Sequence, residues 1–212
     1  MFGSRHRRSV RPRALSLGLL AGLAALMLGG CVVDRESDPG QTNQIGEEVR
    51  EFDLTQPPSR QEVGLPEGKS QVTYQLPDRQ PFPVRVRLPG EHVIDLAVRQ
   101  VGVDAMAAAD PATGPPTTMD IYYYLPDVAA ARDHLLALAE EYEFDREPVE
   151  RWYQDAQAGP PVAGPPAVRT PWLSSSVGYL RLQVRGRYAP PVDEVDPGQV
   201  VVHYALSWDP AD

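Results

Sequence analysis

The chain of 212 residues carries 29 acidic against 20 basic side chains, a single cysteine, Cys31, and a single lysine, Lys69. So acidic a protein has no general electrostatic hold on nucleic acid, and that class of partner is excluded. One cysteine excludes an intramolecular disulfide, and the length allows one domain plus a linker.

Residues 1–30 read as an export signal. Arg5, Arg7, Arg8, Arg11 and Arg13 form a positive head without an acidic residue, a mainly apolar run extends from Leu15 to Leu28, and Gly29-Gly30 follows. The run is shorter than the roughly 20 apolar residues that cross a bilayer, and Gly and Ala are frequent in it, which argues against a permanent span. Leu28-Gly29-Gly30-Cys31 resembles the lipobox of bacterial lipoproteins. The resemblance covers only residues 1–31. It implies cleavage between Gly30 and Cys31, a diacylglyceryl thioether on Cys31, and in many bacteria acylation of the new amino terminus. Two or more acyl chains anchor stably where one holds only marginally, so the implied partner is membrane lipid and the implied location is the cell membrane, facing outside the cytoplasm. The alternative is an ordinary secretory signal with an incidental cysteine. Arg7-Arg8 is similar to the twin-arginine export signal, but Ser9-Val10-Arg11-Pro12 departs from it, which leaves the general secretory route as the default.

Without residues 1–30 the chain keeps 15 basic and 29 acidic residues, a net charge of −14. That charge is repelled by anionic lipid, so anchoring has to come from the acyl chains rather than a basic patch. Residues 31–70 are expected to hold the lipid attachment and a flexible acidic linker: Asp34, Glu36, Asp38, Glu47, Glu48, Glu51 and Asp53 lie among prolines and glutamines, with few apolar side chains to offset the entropy of ordering. Such a linker reaches about 30–35 Å.

Residues 71–212 are expected to form one α+β domain, an antiparallel sheet of about four to six strands with one or two helices packed on one face. Val72–Leu76 and Val84–Leu88 alternate between apolar and polar, punctuated by Pro77, Pro81, Pro83 and Pro89, which confines them to short or edge strands. Residues 93–103 fit either a strand, through Ile94, Leu96 and Val98, or a helical stripe, with the strand favoured because the next segment offers it a partner. Asp110–Pro116 is turn chemistry, and Met119–Leu125 is an aromatic-rich strand. Asp127 is placed to cap a helix over Ala129–Tyr142, and a second short helix begins near Pro148 and carries Val149, Trp152 and Tyr153. A Pro/Gly loop over residues 159–171 follows. Tyr179–Tyr188 and Gln199–Trp208 close the domain as two long strands, with a turn at Asp196-Pro197-Gly198 between them.

One parity of these strands is apolar: Val84, Val86, Leu88; Ile94, Leu96, Val98; Met119, Ile121, Tyr123; Leu180, Leu182, Val184; Val202, Tyr204, Leu206. The opposite parity points away from the helices and carries Arg85, Arg87, Arg99, Tyr122, Tyr124, Arg181, Gln183, Arg185, Arg187, His203 and Ser207. Six of the mature chain's 14 arginines fall there although the protein is acidic. Guanidinium forks suit carboxylates and phosphates, and tyrosine rings suit sugars, so this is the candidate binding face for an envelope protein or an anionic wall polymer. The competing reading is a solvated face whose arginines pair with Asp95 and Asp120.

Other patterns carry less. Asp193, Glu194 and Asp196 share a loop without the spacing of a calcium hand. His92, His134 and His203 have no zinc spacing, and His134 is expected on an exposed part of its helix. Ser174-Ser175-Ser176 lacks the glycine-flanked elbow of a hydrolase. Trp152, Trp172 and Trp208 read as core or rim residues. No cofactor or metal is indicated. Two functions remain: a non-catalytic binding or accessory lipoprotein of the envelope, or a hydrolase of wall polymer or lipid using carboxylate and histidine acid–base chemistry.

Overall fold

The computed structural model describes residues 41–44, 49–158, 168–189 and 199–209. The export signal, the cleavage point at Gly30, Cys31, the loop carboxylates Asp193, Glu194 and Asp196, and most of the Pro/Gly loop lie outside the described residues. Among the described residues eleven strands and two α-helices follow in order: β1 (Gln41–Gln44), β2 (Arg50–Asp53), β3 (Gln71–Gln75), β4 (Phe82–Arg87), β5 (Val93–Val98), β6 (Gln100–Asp104), β7 (Thr118–Leu125), α1 (Val128–Glu141), α2 (Glu147–Ala158), β8 (Val168–Arg169), β9 (Leu173–Val177), β10 (Leu180–Ala189) and β11 (Gln199–Ser207). The class is α+β.

The strands form two sheets. The larger runs β1-β3-β6-β7-β11-β10, with β8 and β9 both along the far edge of β10, and is antiparallel apart from β1 beside β3. The smaller runs β2-β4-β5. Eight strands in the larger sheet exceed the four to six expected from the sequence. The surplus is in short edge pieces such as the two-residue β8, which are too brief to show a periodicity.

Alternation produces the core. Val84, Val86, Leu88, Ile94, Val98, Met119, Ile121, Leu180, Leu182, Val184, Val202, Tyr204 and Leu206 are all buried, and only Leu96 and Tyr123 of the expected inward set are half-exposed. The inner faces of both sheets and the helices contribute to one apolar cluster. Pro83 is accommodated because β2 begins its pairing one residue later, at Val84, so no neighbour on that side needs its missing N–H. Asp127 caps α1 as expected, accepting from the Ala130 amide at 2.8 Å. Arg132 of α1 clasps Glu150 of α2 through two bonds of 2.8 and 2.6 Å. Gly186 of β10 lets the helices close on the sheet: a Cβ there would lie 2.8 Å from Leu135 Cδ1.

Two expectations are corrected. The ordered part begins well before Gln71: Arg50–Asp53 is β2, and Phe52, Leu54, Val63 and Leu65 are buried. These few apolar anchors suffice because polar groups complete the segment. Tyr74 donates its hydroxyl to the Val63 carbonyl at 2.7 Å, the Arg50 guanidinium stacks on the Tyr74 ring at 4.3 Å, and Arg60 donates to the carbonyls of Pro66, Lys69 and Gly114. Residues 93–103 are neither one strand nor a helix. The run breaks at Arg99 into β5 and β6, which belong to different sheets.

Candidate functional site

Among the described residues no helix covers the outer face of the larger sheet, and its registers set side chains in rows across the strands. Arg185 of β10 faces His203 of β11, which faces Tyr122 of β7, which faces Gln100 of β6. The next row is Gln183, Ala205, Asp120, Gly102 and Thr73, and the next is Arg181, Ser207, Thr118, Asp104 and Gln71. On the other side Arg187 faces Val201, which faces Tyr124, and Arg187 also faces Arg169 of β8.

A contact chain runs along the first row. The His203 ring stacks on Tyr122 with centroids 4.4 Å apart, and its Nε2 donates to Asp120 Oδ1 at 2.6 Å. Its other neighbour is Trp172, edge-on at 5.1 Å. Trp172, 37 % exposed, carries the Arg185 guanidinium 4.2 Å from its ring centroid. Arg99 lies 4.7 Å from the Tyr124 ring centroid on the same face.

Among the described residues, Arg99, Arg169, Arg181, Arg185 and Arg187 have no carboxylate within 4.0 Å. Arg185 Nε is buried without a hydrogen-bond acceptor. Burial, and then repulsion from Arg169 and Arg187, make the Arg185 cation harder to hold and push its pKa down. An anion beside it would offset the repulsion and favour the cation. Tyr122 is shifted the other way: burial and the Asp120 charge raise its hydroxyl, so it remains a neutral donor at any physiological pH.

Of the nine residues proposed from sequence, Arg99, Tyr122, Tyr124, Arg181, Arg185, Arg187 and His203 share this face. Arg85 and Arg87 do not. They sit on β4 in the smaller sheet and are engaged: Arg85 with Asp95 at 2.6 Å and Glu51 at 3.6 Å, Arg87 with Glu51 at 3.5 Å. Asp120 serves His203 rather than an arginine. Sequence reasoning missed Trp172, Arg169 and Gly102. Trp172 belongs to no described strand, and nothing local announces that its ring lies over Arg185.

A shallow trough continues the face. It measures about 150 Å³, has Gly102 in its floor, and is lined by Gln71, Gln100, Asp104, Asp120 and Tyr122.

The expectation for His134 is corrected. It faces inward from α1, hydrogen-bonded through Nε2 to the buried Tyr204 hydroxyl and edge-on to Tyr123 at 5.0 Å. Burial holds its pKa below 6.5. A larger concavity of about 480 Å³ lies elsewhere, lined by His92, Glu141, Tyr142, Glu143, Ser175 and Ser176 among others. There His92 Nδ1 is 3.4 Å from Glu141 Oε1. Among the described residues no three His, Cys, Asp or Glu side chains converge as metal ligands.

No family model matches the chain, and no curated protein or solved structure was found to be similar to it.

Proposed function

We propose that the protein is a lipoprotein of the cell envelope, held outside the cytoplasm by acyl chains on Cys31, and that its domain is a non-catalytic binding module. It takes an anionic envelope partner on the outer face of the larger sheet. The observation that carries this reading is Arg185, stacked on Trp172 and flanked by Arg169 and Arg187, with no carboxylate beside any of the three among the described residues of an otherwise acidic chain. A face that merely contacts solvent gains nothing from crowding like charges around a half-buried guanidinium.

The test is crosslinking and pull-down from intact cells, comparing the wild type with the Arg181→Glu/Arg185→Glu variant. Loss of the captured partner supports the reading, and an unchanged set of partners refutes it. Anchoring is tested separately: Cys31→Ser moves the protein out of the membrane fraction or leaves it unprocessed. Mass spectrometry that finds an unmodified thiol on Cys31 refutes the anchor.

One observation favours a second reading, hydrolysis of wall polymer or lipid: the concavity that brings His92 and Glu141 together near Ser175 and Ser176. It is weaker because both partners are open to water, with side chains 36 and 45 % exposed. Acid–base catalysis at neutral pH gains from a shielded carboxyl. Wall-polymer or ester hydrolysis abolished by Glu141→Gln would support this reading.

A further inference from the structure

We infer that the trough over Gly102 is a sugar-ring subsite, and that trough and arginine row together recognise a saccharide chain in which neutral hydroxylated rings adjoin acidic ones. The inference deepens the proposed binding face and rests on it.

Gly102 stands in the middle of β6, paired with Thr73 on one side and Asp120 on the other. Glycine weakens a strand interior, and where it occurs there it often marks a close approach by another molecule. Packing does not demand it here. A Cβ at this position would meet nothing nearer than Asp120 Cβ at 3.9 Å, and the backbone is not in the left-handed region. The missing side chain therefore does one visible thing: it leaves the trough open. At about 150 Å³ the trough is half the smallest pockets that bury a whole drug-sized ligand, roughly 300 Å³, which is the scale of one ring.

The lining suits a polyol. Gln71 and Gln100 supply amides that donate and accept, the carboxylates of Asp104 and Asp120 keep lone pairs beyond their bonds to the Met106 amide, the Thr118 hydroxyl and His203 Nε2, and Tyr122 supplies a neutral hydroxyl. Beyond Tyr122 the character changes to Trp172, Arg185 and Arg187. From Gln100 to Arg185 the row crosses three inter-strand spacings of about 4.8 Å, or about 14 Å in all. A single ring cannot touch both ends; a short chain can.

The charge pattern selects among polymers. The trough side of the face presents Asp104 of β6 and Asp120 of β7, and β10 presents guanidiniums with no carboxylate within 4.0 Å among the described residues. A uniformly anionic chain, such as an acidic polypeptide or polyphosphate, gains at the arginines and is repelled at Asp104 and Asp120. A chain with a neutral hydroxylated ring beside an acidic one gains at both ends.

The experiment is calorimetric titration of the full acylated protein in detergent. The probes are a hexasaccharide of alternating N-acetylhexosamine and hexuronic acid, its carboxyl-reduced neutral counterpart, polyglutamate and polyphosphate. Gly102→Val, Arg185→Gln and wild type are compared, with circular dichroism to establish folding; valine suits a strand, so Gly102→Val is expected to melt no lower than wild type. The expected result is that the acidic hexasaccharide binds wild type most tightly. Gly102→Val and Arg185→Gln each weaken it about tenfold or more, and carboxyl reduction matches the loss in Arg185→Gln. Equal hexasaccharide binding by Gly102→Val and wild type overturns the subsite while leaving the anionic face in place. Tighter binding of polyglutamate or polyphosphate, indifferent to Gly102→Val, overturns the saccharide assignment and gives the face to an acidic polymer. Absence of binding by every probe, or binding indifferent to Arg185→Gln, overturns the subsite and the face together.

Discussion

Replacing Gly186 by alanine tests the packing that leaves one sheet face open. Gly186 lies on the inner side of β10, and the added methyl would sit 2.8 Å from Leu135 Cδ1, with Thr170 Cγ2 and Trp152 Cζ2 both at 3.5 Å. Leu135 and Trp152 are fully buried, so the leucine cannot swing into solvent to escape. An extra methylene forced into a packed core costs about 1–3 kcal/mol. The lower chain entropy of alanine returns about 0.5–1 kcal/mol of that. The net expectation is a loss of up to about 2.5 kcal/mol, a fall in Tm of up to about 10 °C for a domain this size. Leu135→Ala alone should cost about 2–5 kcal/mol by opening a cavity. In the double variant the new methyl partly fills that cavity, so the two losses should fall short of additivity by about 1 kcal/mol or more. Urea denaturation followed by circular dichroism gives all four corners of the cycle. Additive losses would mean that α1 does not close on β10, and the assignment of inner and outer faces would fail with it.

Further outcomes are expected. Trp172 is the exposed tryptophan, while Trp152 and Trp208 are buried; Trp172→Phe should therefore abolish most acrylamide quenching of the fluorescence and change stability by no more than about 1 kcal/mol, the scale of an exposed cation–π contact. Retained quenching would contradict its position. His134 has its pKa lowered by burial. The unfolded chain therefore takes up its proton first as pH falls, so stability is fully present above 6.5 and is lost progressively below it. In His134→Gln the drop in denaturation midpoint between pH 7 and pH 5 should shrink, and an unchanged drop would refute the buried assignment. Asp127→Ala should cost about 0.5–2 kcal/mol through loss of the bond to the Ala130 amide, read from the same urea midpoints; no loss would mean that the cap is idle.

How much of this could be read from residues alone follows from the range of each signal. The inward positions of β4, β7, β10 and β11, and the capped start of α1, are written in spacings of two to four residues, because a side chain's direction depends on its own strand or helix. Parity within a strand also separated Arg181, Arg185 and Arg187 from Leu180, Leu182 and Val184. It does not say which strands lie side by side. That is decided by long-range pairing: the break at Arg99 sends β5 to one sheet and β6 to the other, and Arg85 and Arg87 leave the candidate face with it. The same holds for β2, whose few apolar residues look insufficient until Tyr74 and Arg60 supply distant hydrogen bonds, and for His134, whose partner Tyr204 lies 70 residues away. The sequence by itself determined an α+β body with an apolar inside and an arginine-bearing outside, because those properties are local and periodic. Only the tertiary structure placed Trp172 over Arg185 and an empty glycine beside Tyr122, because each of those juxtapositions depends on backbone segments far apart in the chain being closed together by the core.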